Sequence, residues 1–209
     1  MSRKPARVLL ATRNPGKIVE LRRILAEPPG VGDQLEILGL DDVPAYAQAP
    51  ETGATFEENA LAKAREAAAA SGLPSLADDS GLSVDALGGM PGVLSARWAG
   101  RHGDDLANLQ LVLGQLADVP DGRRGAAFVC AAALVMPDGA ETVTRGEWRG
   151  ELVRAPRGTN GFGYDPIFVP AGERRTSAEL TPAEKDAASH RGRAFRALRP
   201  ALTKLVVED

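Results

Sequence analysis

Val8-Leu9-Leu10-Ala11-Thr12-Arg13-Asn14-Pro15-Gly16-Lys17 is the stretch on which the fold turns. Four apolar residues in a row read as a short buried strand, and Asn14-Pro15-Gly16 ends it. Pro15 suits the first position of a helix, where its missing N–H is not needed, and Asn14 suits the cap before it. Ile18, Leu21, Ile24 and Leu25 then recur at helical spacing. A buried strand feeding a helix through a tight turn opens an α/β protein.

The rest of the chain extends this pattern. Leu35–Leu40 is a second strand candidate. Thr55 with Glu58 is a capping box opening a helix to Ser71, with Gly72 as its stop. Leu76-Ala77 and Leu82–Leu87 read as two short strands on either side of Asp78-Asp79-Ser80-Gly81, four residues that all favour turns. Residues 88–103 are Gly-rich and read as a long loop, after which Asp104 or Asp105 caps a helix through Leu116. Gly125–Met136 and Glu141–Trp148 form a hairpin signal around Pro137-Asp138-Gly139, with a third pass at Glu151–Arg154. Thr181-Pro182-Ala183-Glu184 opens a helical C-terminal region reaching about Val206. No repeat, low-complexity linker or composition shift interrupts the 209 residues. The expectation is a single domain over 1–209, α/β, with a mixed sheet and flanking helices.

Bulk properties exclude several classes of function. The 25 basic and 28 acidic residues leave a net charge of −3, a poor basis for sequence-independent nucleic-acid binding. Cys130 is the single cysteine, so no intramolecular disulfide can form, and its apolar setting reads as a small buried hydrophobe. Arg3, Lys4 and Arg7 precede an apolar run, Val8–Ala11, too short for a signal peptide. No stretch reaches the roughly 18 apolar residues of a membrane span. No membrane association and a cytoplasmic location are expected.

Four places can carry chemistry. Thr12, Arg13, Asn14, Pro15, Gly16 and Lys17 stand at a helix N-terminus, whose N–H groups and partial positive charge attract phosphate; a plain strand–turn–helix is the bland alternative. Glu51 precedes a helix that carries Glu58, Asn59 and Lys63, the last two on one face, as a solvated amphipathic helix also would. Asp78 and Asp79 are adjacent carboxylates that repel unless a cation or proton is shared. Oxygen ligands suit Mg²⁺, usually held by one or two carboxylates plus substrate phosphates. Gly161-Phe162-Gly163-Tyr164-Asp165 places two aromatics in a glycine-rich loop, fit to stack on a planar base or to pack beneath a tight turn. Lys185, His190 and Arg191 supply further donors.

These stretches, taken together, closely resemble the non-canonical purine nucleoside triphosphate pyrophosphatases, the inosine/xanthosine triphosphatase family. The resemblance rests on Leu10–Lys17, Glu51–Ala60, Ala77–Leu82, Pro91–Trp98, Gly161–Pro166 and Glu184–Gly192, in family order over about the whole chain. The best-known form of the first motif has Gly where Arg13 stands. The resemblance implies an elongated mixed-sheet fold with two lobes around a substrate cleft, a homodimer, and Mg²⁺-dependent hydrolysis of a nucleoside triphosphate to monophosphate and pyrophosphate. It implies that Thr12–Lys17 hold the triphosphate and that Asp79 is general base and metal-linked carboxylate, with Glu51 and Asp78. Lys63, Ser80, Phe162, Gly163, Tyr164, Asp165, Lys185, His190 and Arg191 would contact substrate. Two other readings stand beside it: a pyrophosphatase for another modified nucleotide, and a nucleotide-binding module without turnover, which would need no carboxylate cluster.

Overall fold

The computed structural model describes residues 5–26, 34–47 and 49–208; Arg3 and Lys4 lie outside them. Six strands form one sheet in the order β2-β1-β3-β4-β5-β6. They are β1 (Ala6–Leu10), β2 (Leu35–Leu38), β3 (Ser75–Val84), β4 (Gly125–Val135), β5 (Glu141–Leu152) and β6 (Phe168–Pro170). The helices are α1 (Pro15–Ala26), α2 (Phe56–Ser71), α3 (Asp105–Gln115), α4 (Pro182–Ala188) and α5 (His190–Glu208). β1 pairs in parallel with β2 and β3, whereas β5 and β6 run antiparallel, so the sheet is mixed. Among the described residues no helix is long and apolar enough to cross a membrane.

The helix starts follow the caps written in the sequence. Asn14 Oδ1 accepts the Lys17 N–H, Thr55 accepts the Glu58 N–H, Asp104 accepts the Ala107 N–H, and Thr181 closes a full capping box with Glu184. Gly72 ends α2 at φ 68°, a left-handed conformation that glycine adopts without Cβ strain.

Three expectations are corrected and a fourth is refined. Asp78-Asp79-Ser80-Gly81 is no turn between two strands but the middle of β3; side-chain partners for both carboxylates override the turn preference. Glu151 and Leu152 prolong β5 instead of starting a third strand. Within the Gly-rich loop, Gly92–Arg97 wind into a short 3₁₀ helix. The C-terminal helical region is two helices, broken where Ser189 turns extended (ψ 160°).

The chain forms two compact units, residues 1–79, 130–146 and 191–209, and residues 80–129 and 147–190. In the first, Val8, Leu10, Leu76, Cys130, Ala132 and Leu134 meet Leu21, Ile24 and Leu25 of α1 and Phe195, Leu198 and Leu202 of α5 in one core. Alternate strand residues face opposite sides, and Leu9 and Ala77, also buried, point the other way. An Asn59–Asp79 hydrogen bond puts α2 on that second face, where Ala60, Ala64, Ala67 and Ala68 form its buried stripe. Small side chains there let the helix lie close to the strands.

In the second unit, Leu82, Val84, Ala126, Phe128, Trp148 and Phe168 pack with Leu109, Val112 and Leu116 of α3. Phe168 is tilted against both Phe128 and Trp148, at ring distances of 4.6 and 5.5 Å. The buried Arg124 guanidinium donates to the carbonyls of Leu152 and Leu116.

Candidate active site

Strand geometry decides how the Asp pair is used. Asp78 and Asp79 are consecutive in β3, so their side chains leave opposite faces. Each has its own hydrogen-bonded partners, although Lys17 and Lys63 are felt by both carboxylates, and the mutual repulsion expected of adjacent carboxylates is relieved by direction.

On the face covered by α2, Asp79 accepts from Asn59 Nδ2 at 3.0 Å and from Lys63 Nζ at 3.1 Å. Lys63 Nζ also donates to Glu51 Oε1 at 3.0 Å, so one ammonium bridges two carboxylates. The helix supplies Asn59 and Lys63 from one face because they are four residues apart. Asn59 is oriented from its other end, where its Oδ1 accepts the Gly53 N–H at 2.8 Å. A Cβ on Gly53 would stand 2.6 Å from that oxygen, so glycine is required for the loop carrying Glu51 to approach α2.

Burial raises the Asp79 carboxyl above its ordinary range; Lys63 and Lys17 pull it back, Glu51 pushes it up and the Asn59 bond lowers it, leaving it raised. Burial pulls the Lys63 ammonium down, but Asp79, Asp78 and Glu51 outweigh it and hold Lys63 above the usual lysine range. Asp79 is thus a carboxylate with strengthened affinity for a proton, next to a firmly charged lysine.

On the other face, Asp78 Oδ2 lies 2.9 Å from Lys17 Nζ and accepts from Arg191 Nε and Nη2, each at 3.4 Å. Arg191 Nη1 donates to Glu20 in α1, and the Cys130 thiol stands 3.9 Å from Asp78 Oδ2. Arg191 is only 2% exposed. Burial pulls its guanidinium down, but Asp78 and Glu20 reverse this and hold it above the usual arginine value. Two cations and two carboxylates therefore meet, with Arg191, Asp78 and Glu20 buried and Lys17 half-buried, and join α1, β3 and α5. Glu20 was not singled out from the sequence, although its place beside Leu21 on the apolar stripe of α1 marks a buried charge in need of a partner.

Thr12 to Lys17 form the turn between β1 and α1. The Asn14 N–H donates to Thr12 Oγ1 at 3.2 Å, Arg13 is exposed, and Pro15 opens the helix. Ser80 is half-buried on β3.

The second unit holds the aromatic loop. Asp165, 2% exposed, accepts from the Phe162 N–H at 2.8 Å, Ser177 Oγ at 2.7 Å and Lys185 Nζ at 2.5 Å. Gly161 wraps so closely over this carboxylate that a Cβ would meet Asp165 Oδ2 at 2.0 Å. Lys185 Nζ lies 5.0 Å from the centre of the half-buried Phe162 ring, a cation–π contact. Gly163 follows at φ 61°. Tyr164 is packed inward, its hydroxyl donating to the Ser95 carbonyl at 2.8 Å, and burial with nearby Asp105 pushes that hydroxyl's pKa up. His190 is buried and stacked on Phe128 at 4.9 Å.

The structure brings together Glu51, Lys63 and Asp79, and separately Lys17, Asp78 and Arg191. It does not bring Asp78 into one set with Glu51 and Asp79. Among the described residues no three His, Cys, Asp or Glu side chains gather to hold a metal ion. Arg191, expected to donate to a base, here donates to Glu20 and Asp78. Tyr164 faces the core of its unit.

Residues 8–201 match the Ham1 family. A Nocardia farcinica protein named dITP/XTP pyrophosphatase is 68% identical over 200 residues, 96% of each chain. A protein of the same name from Streptomyces coelicolor is 59% identical over 200 residues, covering 96% of this chain and 98% of its own. Among solved structures, a nucleoside-triphosphatase / dITP/XTP pyrophosphatase from Mycobacterium abscessus is 61% identical with a TM-score of 0.75, covering 93% of this chain and 99% of its own. A HAM1 protein from Coxiella burnetii, 43% identical, has a TM-score of 0.82 and covers 95% of this chain and 99% of its own. With the family match running from the first strand into the last helix, and relatives this similar over almost their full length, the chain belongs to the Ham1 family.

Proposed function

We propose that this protein is a nucleoside triphosphate pyrophosphatase that hydrolyses non-canonical purine triphosphates, deoxyinosine, inosine and xanthosine triphosphates among them, to the monophosphate and pyrophosphate. The observation that carries the reading is Asp79, a carboxylate with raised proton affinity held between Asn59 and Lys63. The names of the full-length relatives support the substrate class.

Water attacks the α-phosphorus, a new O–P bond forms, and the bridging α–β P–O bond breaks with its electrons leaving on pyrophosphate. Asp79 takes the proton from the attacking water, a role its raised proton affinity suits. Asn59 and Lys63 fix the direction of its lone pairs. Lys17 and the N–H groups of Arg13 and Gly16 in the Thr12–Lys17 turn are assigned the charge of the triphosphate, with the Arg13 side chain beside them. Lys17 must then exchange Asp78 for phosphate, and Arg191 remains to balance Asp78.

The Glu51–Asp79 pair fits Mg²⁺ by donor type, since both carboxylates already converge on one cation, the Lys63 ammonium. When bound with substrate phosphates, Mg²⁺ would supply charge neutralisation on the leaving group. Asp78 is left out of that set.

Phe162 is assigned the face of the purine, with Lys185, His190 and Arg191 as donors to its 6-keto edge. A site built to donate there leaves its donors unpaired against the 6-amino group of adenine. For Arg191 this requires the guanidinium to reach the base while keeping Asp78 and Glu20. A homodimer and a cytoplasmic setting complete the proposal. Pyrophosphate release from inosine, xanthosine, adenosine and methylated pyrimidine triphosphates, with and without Mg²⁺, tests it. Selective turnover of the first two is expected; selective turnover of the methylated pyrimidine would replace the substrate class, and binding without turnover would overturn the enzyme reading.

A further inference from the structure

Phe162, Gly163 and Tyr164 are tied down one after another by three different parts of the second unit. The Phe162 N–H donates to Asp165 Oδ2, within the loop itself. The Tyr164 hydroxyl donates to the Ser95 carbonyl in the 3₁₀ turn. Between them, the Gly163 N–H donates to Asp105 Oδ2 at 2.9 Å. Asp105 is the first residue of α3 and is exposed. The cap of that helix is Asp104, so the Asp105 side chain is not needed for capping. Gly163 stands at φ 61° with open space around its missing Cβ. The peptide plane after Phe162 is held at both ends. Its carbonyl accepts the Asp165 N–H at 3.3 Å and its N–H donates to Asp105 at the shorter distance. Of the two, only Asp105 reaches in from outside the loop. Phe162 is half-buried, and its ring, 5.0 Å from Lys185 Nζ, is carried by that plane.

We infer that Asp105 is a positioning residue for base binding: by holding the Gly163 N–H from α3, it fixes the Phe162 ring in the orientation that stacks on the purine. The inference rests on the proposed function for its kinetic consequence, but its structural consequence does not. Asp105 touches no substrate and acts through the loop. Its carboxylate, exposed to water, supplies one hydrogen bond to a backbone N–H, weakened by that exposure.

Asp105→Ala should raise KM for deoxyinosine triphosphate by about three- to tenfold, in line with one lost hydrogen bond of roughly 1 kcal/mol, and change kcat less. Asp105→Asn keeps an acceptor oxygen and should recover most of that loss. In a Phe162→Ala background, Asp105→Ala should have little further effect, because residues acting as one unit are not additive. Hydrogen exchange of the 160–165 segment supplies a readout free of catalysis: exchange at the Gly163 amide should quicken in Asp105→Ala and not in Asp105→Asn. An unchanged KM with unchanged exchange overturns the inference, as does a full Asp105→Ala effect in the Phe162→Ala background. Absence of turnover in the wild-type protein would instead strike the proposed function, with the exchange experiment still deciding the role of Asp105.

Discussion

Asp78 and Asp79 are neighbours in sequence and serve opposite faces of β3, the first held by Lys17 and Arg191, the second by Lys63 and Asn59. One step along a strand separates a carboxylate bound to Lys17 and Arg191 from one whose proton affinity burial raises. The two therefore differ in what their loss does.

Asp79→Asn should reduce turnover by about 10²–10⁴-fold, the usual worth of a general base, while nucleotide binding persists. The folded protein raises the Asp79 pKa, so it binds that proton more tightly than the unfolded chain. Stability from this group is then full below the unfolded carboxyl pKa and falls as pH rises to the folded one. The Asn variant, lacking the ionisation, should melt no lower than wild type at neutral pH. Calorimetry beside a pyrophosphate assay checks both, and turnover within a few-fold of wild type would remove Asp79 from the chemistry.

Lys63 and Glu51 should move the acid limb of the pH–rate profile in opposite directions. Lys63 lowers the Asp79 pKa and Glu51 raises it. Lys63→Met should therefore shift the limb of kcat/KM to higher pH, and Glu51→Gln to lower pH. In wild type the limb should lie above the ordinary carboxyl range of about 4. Profiles that shift the same way in both variants would show that another group controls the limb.

The quartet predicts a large cost for removing Arg191. Arg191→Ala leaves Glu20 and Asp78 in the interior without the guanidinium, and losing one partner of a buried ion pair typically costs about 3–5 kcal/mol. Arg191→Lys should recover only part, because an ammonium cannot span two carboxylates as the planar fork does. Urea unfolding measures this. A loss below about 1 kcal/mol would mean that water reaches the quartet.

Much of this was written in the sequence, and what was missed has a common cause. Caps announced α1, α2, α3 and α4 because Asn14, Thr55, Asp104 and Thr181 each satisfy a nearby N–H, a local arrangement. The course of β3 through Asp78-Asp79-Ser80-Gly81 was not local. Four turn formers run as a strand, and partners from residues 17, 59, 63 and 191 reach the two carboxylates among them. The Glu51–Lys63–Asp79 set was half legible, since the i, i+4 spacing put Asn59 and Lys63 on one face without saying what that face met. Arg191 looked like a donor at a helix end, and only the fold reveals Glu20 across from it. Asp105 passed as one of two possible caps; the choice of Asp104 for that task leaves Asp105 to reach Gly163.

The aromatic loop yields the last prediction, which separates affinity from selectivity. A ring stacked on a purine touches its face and is indifferent to the substituent at position 6, so Phe162→Ala should weaken inosine and adenosine triphosphates alike. Stacking of this kind is worth about 1–3 kcal/mol per base, or roughly 5- to 150-fold in kcat/KM, expressed mainly in KM. Donors to the 6-keto oxygen behave differently. Loss of a charge-assisted bond of about 1.5–3 kcal/mol should lower the inosine-to-adenosine ratio by one to two decades. In Phe162→Ala that ratio should stay within about threefold of wild type, and in Arg191→Ala, assayed well below its melting temperature, it should fall. The lysine under the ring sharpens the comparison: Lys185 is bound to Asp165 and lies against Phe162. Lys185→Met should therefore reproduce the Phe162→Ala pattern if its charge serves the ring, and the Arg191→Ala pattern if it serves the base. A ratio that collapses in Phe162→Ala would mean that the ring selects the base by shape and that the donors only orient it.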